Sequence, residues 1–139
     1  MTFELHPIGF VRSPLTDREA APRQGSEGAP DAGIELVPSV LDALERIEAG
    51  DELIVITWLH EARRDVLKVH PRDDPSVPLT GVFATRSADR PNPLGLHRVT
   101  VLEVASNELK VGPLEAIDGT PVVDIKAVLQ ASARSSRQY

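Results

Sequence analysis

The residues between Arg86 and Gly95, RSADRPNPLG, combine rigid and charged groups in a way that could do chemistry. Proline fixes φ and removes an amide donor, so Pro91 and Pro93 hold Asn92 in an extended or turn geometry at little entropic cost. A rigid asparagine offers a ligand both a donor and an acceptor. Gly95 allows close backbone approach or a positive φ. Arg86 and Arg90 add forked donors suited to carboxylate or phosphate. The plainer alternative is a proline-rich turn whose arginines pair with local acids.

Three further segments carry candidate groups. In TWLHEARR, Thr57–Arg64, His60 and Glu61 follow the most apolar run of the chain, where a rigid scaffold commonly presents site residues. Trp58 reads as core. PRQG, Pro22–Gly25, lies in a long polar loop and means little alone. In LEAIDGTPVVDIK, Leu114–Lys126, Asp118–Gly119 is a turn signal. The four histidines, His6, His60, His70 and His97, show no recognisable ligand spacing, so no metal is expected. No nucleophile elbow or phosphate-binding Walker sequence occurs.

The elements that must position these groups are mostly short strands: Glu4–Val11, Ile34–Val37, Leu53–Ile56, Asp65–His70, Val82–Ala84, Leu96–Val104, Glu108–Val111 and Val122–Lys126. Leu53–Ile56 is continuously apolar, as in a strand buried on both faces. Ser106–Asn107 reads as a hairpin turn. One main helix is expected from Pro38 to Gly50, with Val40, Leu41, Leu44 and Ile47 on one face. Thr16–Gly33 is too long for an idle connection in a compact domain, and is expected to be a functional loop. The fold class is therefore mainly β, an antiparallel barrel or sandwich in a single domain. Neither βαβ alternation nor GxGxxG is present, which argues against a dinucleotide-binding fold.

The chain has 139 residues, enough for one core. With 4% aromatics, that core must be built from Val, Leu, Ile and Ala. No cysteine is present, which removes disulfides and thiolate chemistry. The first residues have no basic start before an apolar run, and no stretch is long enough to span a bilayer, so the expectation is a cytoplasmic protein without a membrane partner. A net charge of −6 argues against indiscriminate nucleic-acid binding but permits a local basic face.

In order along the chain, RSP, PRQG, WLH, GVFATRS, RPNPLG and DGTPVVDIK together resemble the TrmO/YaeB-type S-adenosylmethionine-dependent tRNA adenine-N6 methyltransferases. The resemblance runs from about Ile8 to Lys126. It implies a small antiparallel β-barrel domain over 1–130, a polar tail over 131–139, a homodimer, and methyl transfer to N6 of threonylcarbamoyl-adenosine beside the anticodon of tRNA. It further implies S-adenosylmethionine contacts at Pro22, Arg23 and Gln24, at His60 and Glu61, at Arg86 and Leu96, and at Glu115, Ala116, Ile117 and Asp118. His60 or Asp118 would be the catalytic base. Arg63, Arg64, Arg72, Arg90 and Arg98, with Asn92, are candidates for contacting the tRNA anticodon loop. The polar tail would be held by a second subunit.

Two departures stand out. His97 occupies the place where the family usually has serine, and DIKA lacks the usual proline. Two other functions remain open on the sequence. One is a methyltransferase acting on a small molecule or another nucleobase. The other is an S-adenosylmethionine-binding domain without turnover.

Overall fold

The computed structural model describes residues 1–129. The expected tail at 131–139 lies outside them.

Six strands close an antiparallel barrel in the order β1 (Gly9–Arg12), β2 (Ala32–Leu36), β7 (Glu108–Gly112), β6 (Leu94–Val104), β3 (Glu52–Trp58) and β8 (Pro121–Ala127), with β8 pairing back onto β1. Closure leaves no unpaired barrel edge. A small hairpin, β4 (Lys68–Val69) with β5 (Thr80–Gly81), sits apart. Aliphatic side chains fill the interior, among them Val11, Ile34, Val55, Val99, Leu109, Val111, Leu114 and Val122, as the aromatic-poor composition requires.

Strand periodicity sorts the faces. Along β6, Gly95, His97, Val99 and Val101 point inward while Leu94, Leu96 and Arg98 are exposed. β3 alternates as well: Leu53, Val55 and Thr57 are buried and Ile54, Ile56 and Trp58 only partly so. The expectation of a strand buried on both faces is corrected here, because a barrel wall has one inner face. Trp58 is likewise half-buried rather than core; the Arg64 guanidinium lies 5.0 Å above its ring.

The predicted helix over Pro38–Gly50 is helical only over Pro38–Leu44, and as a 3-10 helix. Leu41, Leu44 and Ile47 recur every three residues, the 3-10 repeat, and with Val40 they pack against the core. Val82–Ala84, expected as a strand, is another 3-10 turn. The strand expected over Asp65–His70 shrinks to β4. The first strand begins at Gly9 rather than Glu4. The Ser106–Asn107 turn joins β6 to β7, with the Ala105 N–H donating to the Glu108 carbonyl at 2.8 Å.

Strand direction decides where the connections go. β1, β3 and β7 end, and β2, β6 and β8 begin, at the same end of the barrel. Three connections, 13–31, 59–93 and 113–120, therefore emerge together, whereas 37–51 lies at the other end. The 3-10 helix Pro38–Leu44 and the Ser106–Asn107 turn belong to the opposite end.

Candidate functional site

A cleft of about 810 Å³ opens where these three connections meet, within the range of small-molecule sites, roughly 300–1,000 Å³. The first connection contributes Pro22, Arg23 and Gln24. The second contributes His60 and Glu61 just after β3, then Arg72, Arg86 and Arg90. Leu96 comes from β6, and Glu115, Ala116 and Ile117 come from the third connection. Segments nearly a hundred residues apart in sequence thus share one cavity.

Asp118 stands outside this lining. Its carboxylate accepts the Ser13 amide at 3.0 Å and its own N–H donates to the Leu15 carbonyl at 2.6 Å. Asp118 therefore fastens the turn after β1. Gly119 beside it has φ 82°, a left-handed value that glycine adopts without steric cost.

The cleft walls are tied by side chains that the sequence offered for other work. Arg90 donates to the carbonyls of Val82, Thr85 and Ser87, the last at 2.9 Å, and so curls that turn. Arg64 donates to the Pro91 carbonyl at 2.7 Å and to the Asn92 side-chain oxygen at 2.9 Å. Arg64 and Asn92 thus lock the RPNP bend together. Neither residue, nor Arg63 or Arg98, lines the cleft. Arg63 grips Asp65 with two hydrogen bonds of 3.1 and 3.0 Å, which raises the guanidinium pKa and lowers that of the carboxyl. Arg98 pairs with Glu52 on the barrel wall. Arg72 pairs with Glu27, and Arg23 with Asp73. Arg86 is the least committed of these, reaching only the Leu96 carbonyl, at 3.5 Å, among the described residues.

Three side chains escaped the sequence reading. Arg18 ties the first connection to the second, donating to the Glu61 carbonyl at 3.1 Å and to Asp89 at 2.6 Å. His97 and Thr57 meet inside the barrel, Nε2 to Oγ1 at 2.7 Å, and His97 Nδ1 lies 2.6 Å from Glu115 Oε1. His97 is 5% exposed and Thr57 fully buried. Inward alternation along β6 sets His97 apart from the other histidines. Gly95 makes the contact possible: a Cβ there would stand 2.5 Å from Thr57 Oγ1 and 2.7 Å from His97 Nε2. The β3–β8 register shifts between Ile56 and Thr57, the sort of irregularity that re-aims a side chain beside a site.

His60 is exposed in the cleft, its Nε2 3.8 Å from Glu61. Among the described residues no cluster of three potential ligands could hold a metal ion. No helix there is long and apolar enough to cross a membrane.

The chain is similar to several known proteins. The profile of the tRNA-methyltransferase O N-terminal domain matches residues 10–133. A probable S-adenosyl-L-methionine-binding protein of Methanothermobacter thermautotrophicus is 43% identical over 126 residues, covering 91% of this chain and 90% of the relative. The tRNA (adenine(37)-N6)-methyltransferase of Escherichia coli is 36% identical over 137 residues, 92% of this chain and 58% of that enzyme. The crystal structure of TrmO from Pseudomonas aeruginosa superposes with a TM-score of 0.74 at 30% identity, over 99% of this chain and 63% of that one. The chain therefore spans less than two thirds of the last two proteins.

Proposed function

Because the chain belongs to the TrmO-type family, we propose that it transfers a methyl group from S-adenosylmethionine to N6 of threonylcarbamoyl-adenosine beside the tRNA anticodon. The observation that carries this reading is the convergence of the PRQ, HE, TRS and LEAI segments on one cleft.

The donor set suits the cofactor. Its carboxylate calls for a guanidinium, and Arg86 has one to spare. Its positive charge calls for an anion, and Glu115 lines the same cavity. Leu96, Ala116 and Ile117 offer apolar wall for the adenine, with Pro22 and Gln24 opposite. Bound there, the cofactor would supply a sulfonium-activated methyl group. The protein's part is alignment, because in-line displacement rewards fixed geometry. Arg64, Arg90 and Asn92 contribute by stiffening the bend that faces the cleft, which limits the ordering entropy lost on binding.

An N6 bonded to a carbonyl is a weak nucleophile and a comparatively acidic one. His60, exposed in the cleft, is the side chain we assign to take its proton. His60→Ala should lower turnover by roughly 10²–10⁴-fold while leaving cofactor affinity near wild type; single-turnover kinetics beside calorimetry check this, and unchanged turnover removes His60 from the role. Arg63, Arg72 and Arg98 are exposed and would meet tRNA phosphates. The base lies in a single-stranded loop, so no duplex need open. The reading includes a homodimer in the cytoplasm. Exposed Leu67 and Phe83 on and beside the β4–β5 hairpin support self-association, and light scattering tests it.

Labelled methyl transfer into tRNA, with mass spectrometry of the nucleosides, tests the whole reading. Methylated threonylcarbamoyl-adenosine is the expected product. The net charge of −6 and the paired arginines favour a second reading, methyl transfer to a small molecule or another nucleobase. Active protein that leaves tRNA unlabelled would select it.

A further inference from the structure

Among the described residues the barrel buries three polar side chains, Thr57, His97 and Thr120. Thr120 is satisfied locally, its hydroxyl donating to the Ile117 carbonyl at 2.7 Å. Thr57 and His97 instead form a chain that leads out of the core to Glu115.

The protons on that chain follow from counting partners. An ionised carboxylate only accepts, so His97 Nδ1 must carry the hydrogen shared with Glu115 Oε1. Thr57 has no hydrogen-bond partner among the described residues other than His97 Nε2. Its buried hydroxyl therefore donates to a bare Nε2. With Nδ1–H present and Nε2 bare, both hydrogen bonds have a donor and an acceptor, and among the described residues no buried side-chain polar atom is left unpaired.

The chain ends asymmetrically. Glu115 Oε1 is held, whereas Oε2 has no hydrogen-bond partner among the described residues. A Cβ added at Gly25 would stand 3.3 Å from Oε2, which sets this oxygen against the PRQG loop. An apolar residue at 97 would leave the buried Thr57 hydroxyl without its hydrogen-bond partner among the described residues. A serine at 97 would be too short to bridge Thr57 and Glu115. The imidazole is long enough to grip both.

We propose that His97 is a positioning residue: braced by Thr57, it fixes Glu115 so that its second oxygen meets the cationic part of the methyl donor and sets donor affinity. This rests on the donor reading given above. The shared chemistry is a carboxylate against a cation. S-adenosylhomocysteine, which keeps the ammonium but lacks the sulfonium charge, tells the two cations apart.

Two substitutions divide the roles of the ring. His97→Asn keeps a donor near Nδ1 for Glu115 and releases Thr57. His97→Gln keeps a group near Nε2 for Thr57 and releases Glu115. Calorimetry should show S-adenosylmethionine binding weakened about tenfold or more in His97→Gln, as for loss of a hydrogen bond to a charged group. His97→Asn should stay within about threefold of wild type, while both variants lose thermal stability. An equal loss for S-adenosylhomocysteine assigns the ammonium, and a loss confined to S-adenosylmethionine assigns the sulfonium; either supports the role. Equal affinities in the two variants overturn it and leave the proposed function standing. A folded wild type that binds neither ligand overturns both. Nitrogen NMR of the wild-type imidazole gives a readout independent of any variant: protonated Nδ1 with bare Nε2 is expected, and the reverse tautomer breaks the chain.

Discussion

At Gly95 the barrel has room for a hydrogen and nothing larger. A methyl group there would meet Thr57 Oγ1 and His97 Nε2 well inside van der Waals contact. Both atoms sit on rigid, buried side chains and cannot swing away. Gly95→Ala should therefore cost about 1–3 kcal/mol of stability, the usual range for overpacking, read as a lower urea midpoint with an unchanged slope. The sequence showed that Gly95 permits close approach. It did not show what approaches, because Thr57 becomes its neighbour only through the β3–β6 register. His97 was passed over for the same reason: its partners come from β3 and from the third connection. Arg86, Glu61 and the PRQ residues do line the cleft, but the PRQ segment means little alone and is singled out only through the family resemblance.

Two short 3-10 turns form a clasp across the cleft mouth. Gly25–Glu27 from the first connection faces Pro71–Asp73 from the second, joined by Arg72 to Glu27 and by Arg23 to Asp73. Arg72 and Asp73 adopt φ of 56° and 57°, a left-handed pair that side chains seldom enter. The hydrogen bond from Arg72 lowers the Glu27 pKa. A lowered carboxylate pKa means the clasp is fully formed above the ordinary carboxylate range and opens only as pH falls through the lowered value. Arg72→Ala should return the Glu27 titration to its ordinary position, followed by carboxyl-carbon NMR. Global stability should be essentially unchanged, since the pair is exposed. At this scale the sequence was a partial guide. Strands on the barrel wall follow from alternation, and all six were expected within a few residues. The Pro38–Leu44 segment was expected as an ordinary helix because threefold and 3.6-fold spacings agree over so short a run. Val82–Ala84 has strand-like residues, but Arg90, eight positions from Val82, supplies the hydrogen bonds that curl it.

Seen whole, the molecule is acidic, at −6, yet the function proposed for it needs an anionic polymer to dock. The arginines that could meet phosphate are already paired: Arg63 with Asp65, Arg72 with Glu27 and Arg98 with Glu52. Each must give up a carboxylate to take a phosphate, so the electrostatic part of tRNA binding should be small and its salt dependence shallow. Asp65→Asn tests this balance. The change removes one negative charge and frees the Arg63 guanidinium while touching nothing in the cleft, which Asp65 does not line. Affinity for an anticodon stem-loop should rise. The slope of log K against log salt should steepen by about 0.7–0.9, the increment for one more phosphate contact. S-adenosylmethionine affinity should stay at the wild-type value, because the gain is confined to the rim. If the slope and affinity both hold at wild-type values, Arg63 does not face the polymer, and the docking face must be sought around Arg72 instead.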